Sequence, residues 1–334
     1  MKEFFENKTI LITGGTGFLG KSLTKKLLEF GPRQIRLFSR DEVKHYKAQE
    51  EFKYDLRLRN LIGDVRDYER LKKAMKGVDY VFHAAALKRL DILEYNVDES
   101  VKTNILGTLN VVNACLETGI KKAIYISTDK ACSPVNSYGA CKFVGERIFI
   151  ETNYSKGSHY PVFSVVRYGN VLESTGSVIP FFTSKIKNKE KIPLTDERMT
   201  RFIISPEQAV KLVIDAVRYG VGGEVFVPVL PAFKITDLIE ILKDKYGASN
   251  EIKTIGIRPG EKIHELMINE YEVARTYKFE NLYIISSHIE DMCKPNPIYA
   301  KKKLTNNSMK EYNSKNAVIS KEKVKKLFKE FGLL

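Results

Sequence analysis

The chain has 334 residues, 43% of them hydrophobic and 29% charged, with a net charge of +14 at pH 7. Those values exclude a disordered or fibrous chain and suit one large or two ordinary globular domains. No apolar run is long enough to span a bilayer, so no membrane partner is expected. The excess charge raises the question of a nucleic-acid surface. However, the basic residues are scattered and none of their runs is interleaved with aromatic residues, so the expected partners are anionic small molecules and not nucleic acid. The first eight residues are charged and lead straight into an apolar run, which is not the pattern of a signal peptide. Cys115, Cys132, Cys141 and Cys293 form no CxxC pair and no disulfide framework, and the expected compartment is the cytoplasm. No metal site is expected.

In chain order, Thr9-Ile10-Leu11-Ile12 reads as a strand buried on both faces. It runs into Thr13-Gly14-Gly15-Thr16-Gly17-Phe18-Leu19-Gly20, and helical periodicity continues from Lys21 to Phe30. Gly14, Gly17 and Gly20 thus lie between a strand and a helix. That is the context in which glycine lets a backbone approach a pyrophosphate and a helix N-terminus receives its charge. Thr16, Phe18 and Leu19 belong to the same expected cradle. A second strand, Gln34 to Phe38, ends in Ser39-Arg40-Asp41-Glu42, with Lys44 close behind. An arginine at this point accommodates a 2′-phosphate, so Ser39, Arg40 and Lys44 predict NADP; the alternative leaves Arg40 in solvent and puts Asp41 on the ribose of NAD.

Arg57 to Val65 reads as a third strand with its exit turn. Asp64 and Val65 are placed to meet an adenine, although Asp64 could instead cap the helix that starts near Tyr68. The fourth strand, from Val78, ends in Ala84, Ala85 and Ala86, small enough for the backbone to lie against a flat cofactor. His83 reads as a packing residue, and Lys88 as able to reach a substrate oxygen or phosphate. A long helix is expected from about Asp98 to Glu117, with Asn104 inside it.

The fifth strand, Ala123 to Ile126, delivers Ser127-Thr128-Asp129-Lys130 at its carboxyl end. Pro134 and Asn136 break the chain. Tyr138 and Lys142 then fall four residues apart, on one face of a helix that runs to about Thr152. An ammonium beside a phenol makes the phenol more acidic and suits it to take a proton from an alcohol. A sixth strand, Val162 to Tyr168, leads out through Asn170. Strand and helix alternate throughout, which predicts an α/β fold with a Rossmann-type, doubly wound parallel sheet.

Beyond residue 170 the alternation loosens. A helix towards Asn188, an edge strand at Ile192 to Thr195, a capped helix start at Ser205-Pro206-Glu207-Gln208, a strand at Val225 to Pro228 and a helix from Ile235 to Tyr246 make up a smaller α/β region. The expected division is a dinucleotide-binding and catalytic domain at 1–170, a substrate region at 171–290 with some return to the first core, and a C-terminal extension at 291–334.

The glycine turn, the Thr128, Tyr138 and Lys142 set and the strand pattern together resemble the extended short-chain dehydrogenase/reductase family from Thr9 to about Lys262. The resemblance implies that Thr128, Tyr138 and Lys142 polarise and deprotonate a hydroxyl while NADP takes up a hydride. Thr-Asp-Lys-Ala followed by Asn-x-Tyr-Gly-Ala-x-Lys is similar to the inverting UDP-N-acetylglucosamine 4,6-dehydratases that begin pseudaminic acid synthesis. Ala84 to Lys88, Arg198 to Phe202 and Arg258 to Lys262 are similar to the same group. This likeness implies that Lys130, as a neutral amine, removes a proton from C5 of the sugar and that Asp129 protonates the departing C6 hydroxyl. Lys142 and the oxidised cofactor would lower the pKa of Lys130. It further implies that Arg201 and Arg258 hold the pyrophosphate, Glu261 the ribose, Thr195 the base, and Lys88 and Asn170 the sugar, and that the protein is a homo-oligomer. One departure is Glu173 and Thr175, where related enzymes tend to carry glycine and arginine. Two alternatives stay open: a dehydratase/5-epimerase or 4-epimerase acting on a UDP-sugar, and a non-catalytic NADP-sensing regulator.

Overall fold

The computed structural model describes residues 1–157, 160–172, 178–289, 295–305 and 309–334. The six expected strands form as β1 (Thr9–Thr13), β2 (Gln34–Ser39), β3 (Leu58–Ile62), β4 (Tyr80–His83), β5 (Lys122–Ile126) and β6 (Val162–Val166). They lie parallel in the order β3-β2-β1-β4-β5-β6, with Thr9 opposite Gln34 on one side of β1 and Ile10 opposite Tyr80 on the other. Every residue of β1, β4 and β6 is buried, as expected where helices cover both faces of a sheet. The strand order reverses between β1 and β4, and this opens a crevice at their carboxyl ends.

The second half of the chain adds β7 (Ile192–Leu194), β8 (Thr200–Phe202), β9 (Val225–Pro228), β10 (Ala232–Lys234), β11 (Ile252–Thr254), β12 (Leu266–Ile268), β13 (Thr276–Phe279), β14 (Leu282–Ile285) and β15 (Tyr312–Asn313). β9 joins β6 in parallel, and β14 and β13 follow antiparallel, so the main sheet has nine strands drawn from both sides of residue 170. The remaining strands pair as β8 with β10, β7 with β11 and β12 with β15. A second hydrophobic core forms around Phe182, Phe233, Leu238 and Leu242. Val324 and Phe328, from the helix Lys321–Glu330, are buried in this core, so residues 321–330 are built into it. Glu173, Thr175 and Cys293 lie outside the described residues.

Two local features mark the helices. Ser205 and Gln208 form a full capping box at the start of the helix Pro206–Tyr219. The helix expected from Asp98 to Glu117 is broken by a π-helical stretch, Val101–Leu106, between α-helical Val97–Ser100 and Gly107–Thr118. The cause is visible in its side chains. The Asn104 amide accepts from Leu87 N at 2.8 Å and donates to Leu87 O at 2.9 Å, so the helix is shaped to grip the loop that leaves β4. The apolar spacing continues through this stretch, which is why periodicity reads one plain helix.

Candidate active site

A cleft of about 480 Å³ lies at the carboxyl ends of the central strands. Gly14, with φ of +68°, turns the chain out of β1, and a Cβ there would come within 2.9 Å of Ala85 N. Gly17 is the N-cap of the helix Phe18–Leu28 and offers no side chain to its first amides. Those N–H groups therefore face the cleft with the positive end of an eleven-residue helix behind them. A dinucleotide's pyrophosphate fits this cradle.

All the residues expected to hold the cofactor line the cleft: Gly14, Thr16 to Gly20, Ser39, Arg40, Lys44, Asp64, Val65, Ala84 to Ala86, Tyr138 and Lys142. Thr16 Oγ1 and Ser39 Oγ are 2.7 Å apart and tie the glycine turn to β2. Asp41 caps the helix Glu42–Glu51 by accepting from Lys44 N at 3.0 Å. Asp64 does not cap the following helix; Asp67 does, accepting from Arg70 N at 2.9 Å. Asp64 instead accepts from Arg66 and, at 3.3 Å, from Arg40. His83 is structural, as expected. Its ring bridges Thr13 at 2.7 Å and Thr108 at 3.0 Å, and burial pushes its pKa down to about 3.

The chemistry-bearing side chains stand beside this cradle. Thr128, two residues past the end of β5, caps a short 3₁₀ turn, Asp129–Ala131, so Asp129 and Lys130 project from one turn. Asn136 then caps the helix Ser137–Ser155 by accepting from Gly139 N at 2.7 Å. Gly139 is needed at that point, because a Cβ would overlap the Lys130 carbonyl. Thr128 Oγ1 donates to Asp129 Oδ1 at 2.9 Å. Lys130 Nζ reaches Asp129 Oδ1 at 3.0 Å, Asn170 Oδ1 at 3.4 Å and Glu265 Oε1 at 3.4 Å. Lys142 Nζ donates to Ile126 O at 2.6 Å and sits 3.9 Å from the centre of the Tyr125 ring.

The charge states differ from the sequence expectation in two respects. Burial lowers the pKa of Lys142 to about 7, against the pull of Glu146. Burial also raises Tyr138 to about 12, with the Lys130 charge pulling the other way, so in the protein alone the phenol is not acidic. Lys130 was expected to be lowered by positive neighbours. Burial does act in that direction, but the Asp129 and Glu265 carboxylates outweigh it and hold the amine above its ordinary value. Asp129 is raised by burial and by the nearby Glu265 charge, against the opposing pull of Lys130.

The residues expected to hold substrate divide into two groups. Lys88 and Asn170 line the main cleft, and Asn170 and Arg201 line a small apolar cavity next to it. The Arg201 guanidinium donates to the carbonyls of Thr200, Ile263 and Lys262 and pairs with Glu265 at 3.3 Å, so its donors point into the protein. Thr195, Arg258 and Glu261 do not line either cavity. Arg258 is exposed, Thr195 is half-buried, and Glu261 Oε2 is buried with no partner. The loop that carries Arg258 and Glu261 is nonetheless docked on the segment that follows the Asp129–Ala131 turn: Asn136 Nδ2 donates to Gly260 O at 2.8 Å, and Lys262 Nζ donates to Cys132 O at 2.6 Å.

Sequence reasoning missed Glu265 and the cluster beneath it. Arg167, 1% exposed, donates to both oxygens of Glu146 at 3.0 and 2.6 Å and to both of Glu272 at 2.9 and 3.0 Å. Ser127 Oγ donates to Glu146 Oε1 at 2.6 Å, which ties this cluster to the end of β5. A lone acid ahead of a short strand, such as Glu265 before Leu266-Met267-Ile268, carries no local signal of burial. Among the described residues no group of His, Cys, Asp and Glu is arranged to hold a metal, and no helix is long and apolar enough to cross a membrane.

Residues 10–287 match the model of a family described as polysaccharide biosynthesis protein. The chain belongs to the polysaccharide biosynthesis protein family. Within and around that family, it is 49% identical over 294 residues to an inverting UDP-N-acetylglucosamine 4,6-dehydratase of Campylobacter jejuni, covering 87% of this chain and 86% of that one. It is 40% identical over 295 residues to a UDP-glucose 4-epimerase of Rickettsia rickettsii, covering 86% and 85%. Its fold superposes on the X-ray structure of Pen from Bacillus thuringiensis with a TM-score of 0.92 and 39% identity, covering 99% of this chain and 100% of that one. The family match takes in the glycine turn, the Asp129–Ala131 turn and Glu265, so the cleft and the charges beside it lie within the matched residues.

Proposed function

We propose that this protein is an NADP-dependent UDP-N-acetylglucosamine 4,6-dehydratase that inverts C5 of the sugar, giving a UDP-linked 2-acetamido-2,6-dideoxy-β-L-arabino-hexos-4-ulose. The observation that carries this reading is the Asp129–Lys130 contact of 3.0 Å, buried beside Tyr138 and the dinucleotide cleft. Oxidation and re-reduction at one carbon need no second acid and base. Elimination of water across C5 and C6 needs both. The 49% identity to a dehydratase of that name supports the same reading. A UDP-sugar 4-epimerase is the second reading, supported by the Rickettsia relative, but it leaves the Asp129–Lys130 pair without a task.

The cradle from Gly14 to Gly20 would hold the pyrophosphate of the cofactor, and Ser39, Arg40 and Lys44 its 2′-phosphate. Asp41 is engaged as a helix cap, which supports NADP over NAD. When bound, the cofactor accepts a hydride from C4 and returns it to C6. Tyr138 takes the C4 hydroxyl proton. The Tyr138 phenol, held high by burial, would become more acidic beside an oxidised nicotinamide. Lys142, held against Ile126 O, orients the cofactor ribose and Tyr138. The Asp129–Lys130 pair shares a proton along its 3.0 Å contact. Shifting that proton from the ammonium to the carboxylate yields a neutral amine and a carboxylic acid together, the two forms the elimination uses. Lys130 then takes the C5 proton, and Asp129 gives its proton to the C6 hydroxyl, which leaves as water. A proton delivered to the opposite face of C5 inverts that centre. Lys88 and Asn170 face the sugar, and Arg201, Arg258, Glu261 and Thr195 are the proposed nucleotide contacts, although Arg201 has its donors on carbonyls and the other three line neither cavity.

We further place the enzyme in the cytoplasm, as a homo-oligomer, at the start of pseudaminic acid or related surface-glycan synthesis. Cys115, Cys132 and Cys141 are free thiols, in keeping with a reducing compartment. The test is proton NMR of the purified protein with UDP-N-acetylglucosamine and catalytic NADP+ in D2O. The expected product is a 6-deoxy-4-keto sugar, deuterated at C5, in the L-arabino configuration. A C4-epimer with no loss of water would overturn the dehydratase reading, and a D-xylo product would overturn inversion.

A further inference from the structure

Glu265 is fixed from both sides by one serine. Its backbone N–H donates to Ser314 Oγ, and its carbonyl accepts from Ser314 N, each at 2.8 Å. The side chain is 3% exposed. Its Oε1 lies 3.4 Å from Lys130 Nζ and 3.3 Å from Arg201 Nε, while Oε2 is buried with no donor of its own. Arg201 is anchored in turn on three backbone carbonyls. The result is a line of alternating charge, Asp129, Lys130, Glu265 and Arg201, assembled from three distant parts of the chain. Three acceptors surround the Lys130 amine: Asp129, Asn170 and Glu265. Of these, Glu265 is the only one that comes from the C-terminal part of the molecule.

We propose that Glu265 is a positioning residue of the reaction, which holds the Lys130 amine against Asp129 and, with Arg201, sets the pH range over which that pair carries its single shared proton. This inference rests on the reading of Asp129 and Lys130 as the acid–base pair. A buried carboxylate with an unpartnered oxygen is a costly feature to place beside a lysine that must act as a base. Its negative charge favours the protonated forms of both neighbours, and the positive charge of Arg201 works in the opposite sense on Lys130. The other charged or titratable groups facing Lys130 are Tyr138, from the helix that follows the turn, and Lys262, from the docked loop. The Lys262 amine donates to Cys132 O and its charge acts on Asp129, Lys130 and Glu265 alongside that of the partly buried Arg201, so the buried Glu265 is the negative group that faces the pair from the C-terminal side.

The pair is active while it holds one proton, so the pH profile of C5 exchange is a bell whose limbs are the gain of a second proton and the loss of the last. Glu265→Gln keeps an acceptor near Lys130 but removes the charge. Both limbs are expected to move to lower pH, by about one unit or more, since a charge within 4–6 Å shifts a pKa by about 1–3 units. Arg201→Gln removes a positive charge, and the alkaline limb is expected to move to higher pH. The measurement is the rate at which deuterium from D2O appears at C5 of the 4-keto product formed from UDP-N-acetylglucosamine, across pH, with NADP+ binding measured alongside to report the fold. Opposite shifts are a signature that a purely structural role for these residues does not produce. Limbs that stay in place while the rate falls, or that move in the same direction in both variants, overturn the proposal. If Glu265→Gln does not fold, the Arg201→Gln shift alone decides the sign; if neither folds, the array is a scaffold and the proposal falls. Failure of the functional reading is seen separately, as a wild-type protein that incorporates no deuterium at C5, and it would overturn this inference as well.

Discussion

Around Gly14 to Gly20 the cleft is made of backbone, small side chains and a helix terminus, all contributed by a continuous stretch of sequence between β1 and the helix it feeds. Beside the cleft, around Lys130, buried and partly buried charges meet from residues 129–130, 201 and 265, with the Arg167 cluster beneath. The first region binds by shape and partial charge and would be complete with only the first strands in place. The second exists only when the C-terminal half has docked, because Glu265, Glu272 and Lys262 all come from it. On the proposed function, cofactor binding and acid–base chemistry therefore belong to two neighbouring regions, and substitutions should affect them separately.

The largest separation is expected at the catalytic turn. Lys130→Ala should lower dehydration by about 10²–10⁴-fold, the usual worth of a general acid or base, and abolish C5 exchange. Asp129→Asn should fall in the same range while retaining oxidation at C4, seen as reduced cofactor in a single turnover at 340 nm. NADP+ affinity should change little in both, since neither side chain lines the dinucleotide cradle. A joint loss of cofactor binding and turnover would mean that the two regions are not independent.

Next in size is the cluster that docks the second region. Glu272→Gln removes one of the two carboxylates that neutralise the buried Arg167 guanidinium, and the expected loss is about 3 kcal/mol, read by chemical denaturation. Glu272 is itself resisted by burial, but the charge of Arg167 outweighs this and holds its pKa below the ordinary carboxylate value. A group depressed in the folded state stabilises above its unfolded pKa. Its contribution is therefore full near neutrality and is lost as the pH falls through the folded value. The wild-type melting temperature should fall with acid more steeply than that of Glu272→Gln. Parallel curves would show that this pair does not anchor the docking.

The same contrast explains what could be read in the sequence. The six parallel strands, the glycine turn and the Tyr138–Lys142 spacing each rest on residues within one or two turns of each other, so pattern alone places them. The π-helical segment at Val101–Leu106 was hidden because its cause, the Asn104 grip on Leu87, is a contact across 17 residues that leaves the apolar spacing intact. Glu265 was hidden more deeply, with its partner Lys130 lying 135 residues away. The error over the charge of Lys130 follows from this. Its neighbours in sequence are visible, but the carboxylate that helps keep it protonated is not. The fold of the second half was legible only as separate pieces, since the placement of β9, β14 and β13 on the main sheet depends on pairing with β6 and not on any feature of their own length of chain.

The smallest effect expected, and the one that sharpens the comparison most, is at the edge of the first region. Arg40 is half-exposed and held at 3.3 Å by Asp64, a solvent-facing pair of little consequence for stability. A 2′-phosphate at this position would compete with Asp64 for the guanidinium and form the stronger, charge-assisted contact. Arg40→Ala should therefore weaken NADP+ binding by about ten- to a hundredfold, in line with the ~1.5–3 kcal/mol usual for a hydrogen bond to a charged group, and leave NAD+ binding unchanged. Isothermal titration with both cofactors reads the ratio directly. The pH profile of C5 exchange should not move, because Arg40 belongs to the cradle and not to the charge array. An equal loss for both cofactors would make Arg40 a general phosphate contact and remove the basis for NADP preference, whereas a shifted pH profile would join the two regions that the structure keeps apart.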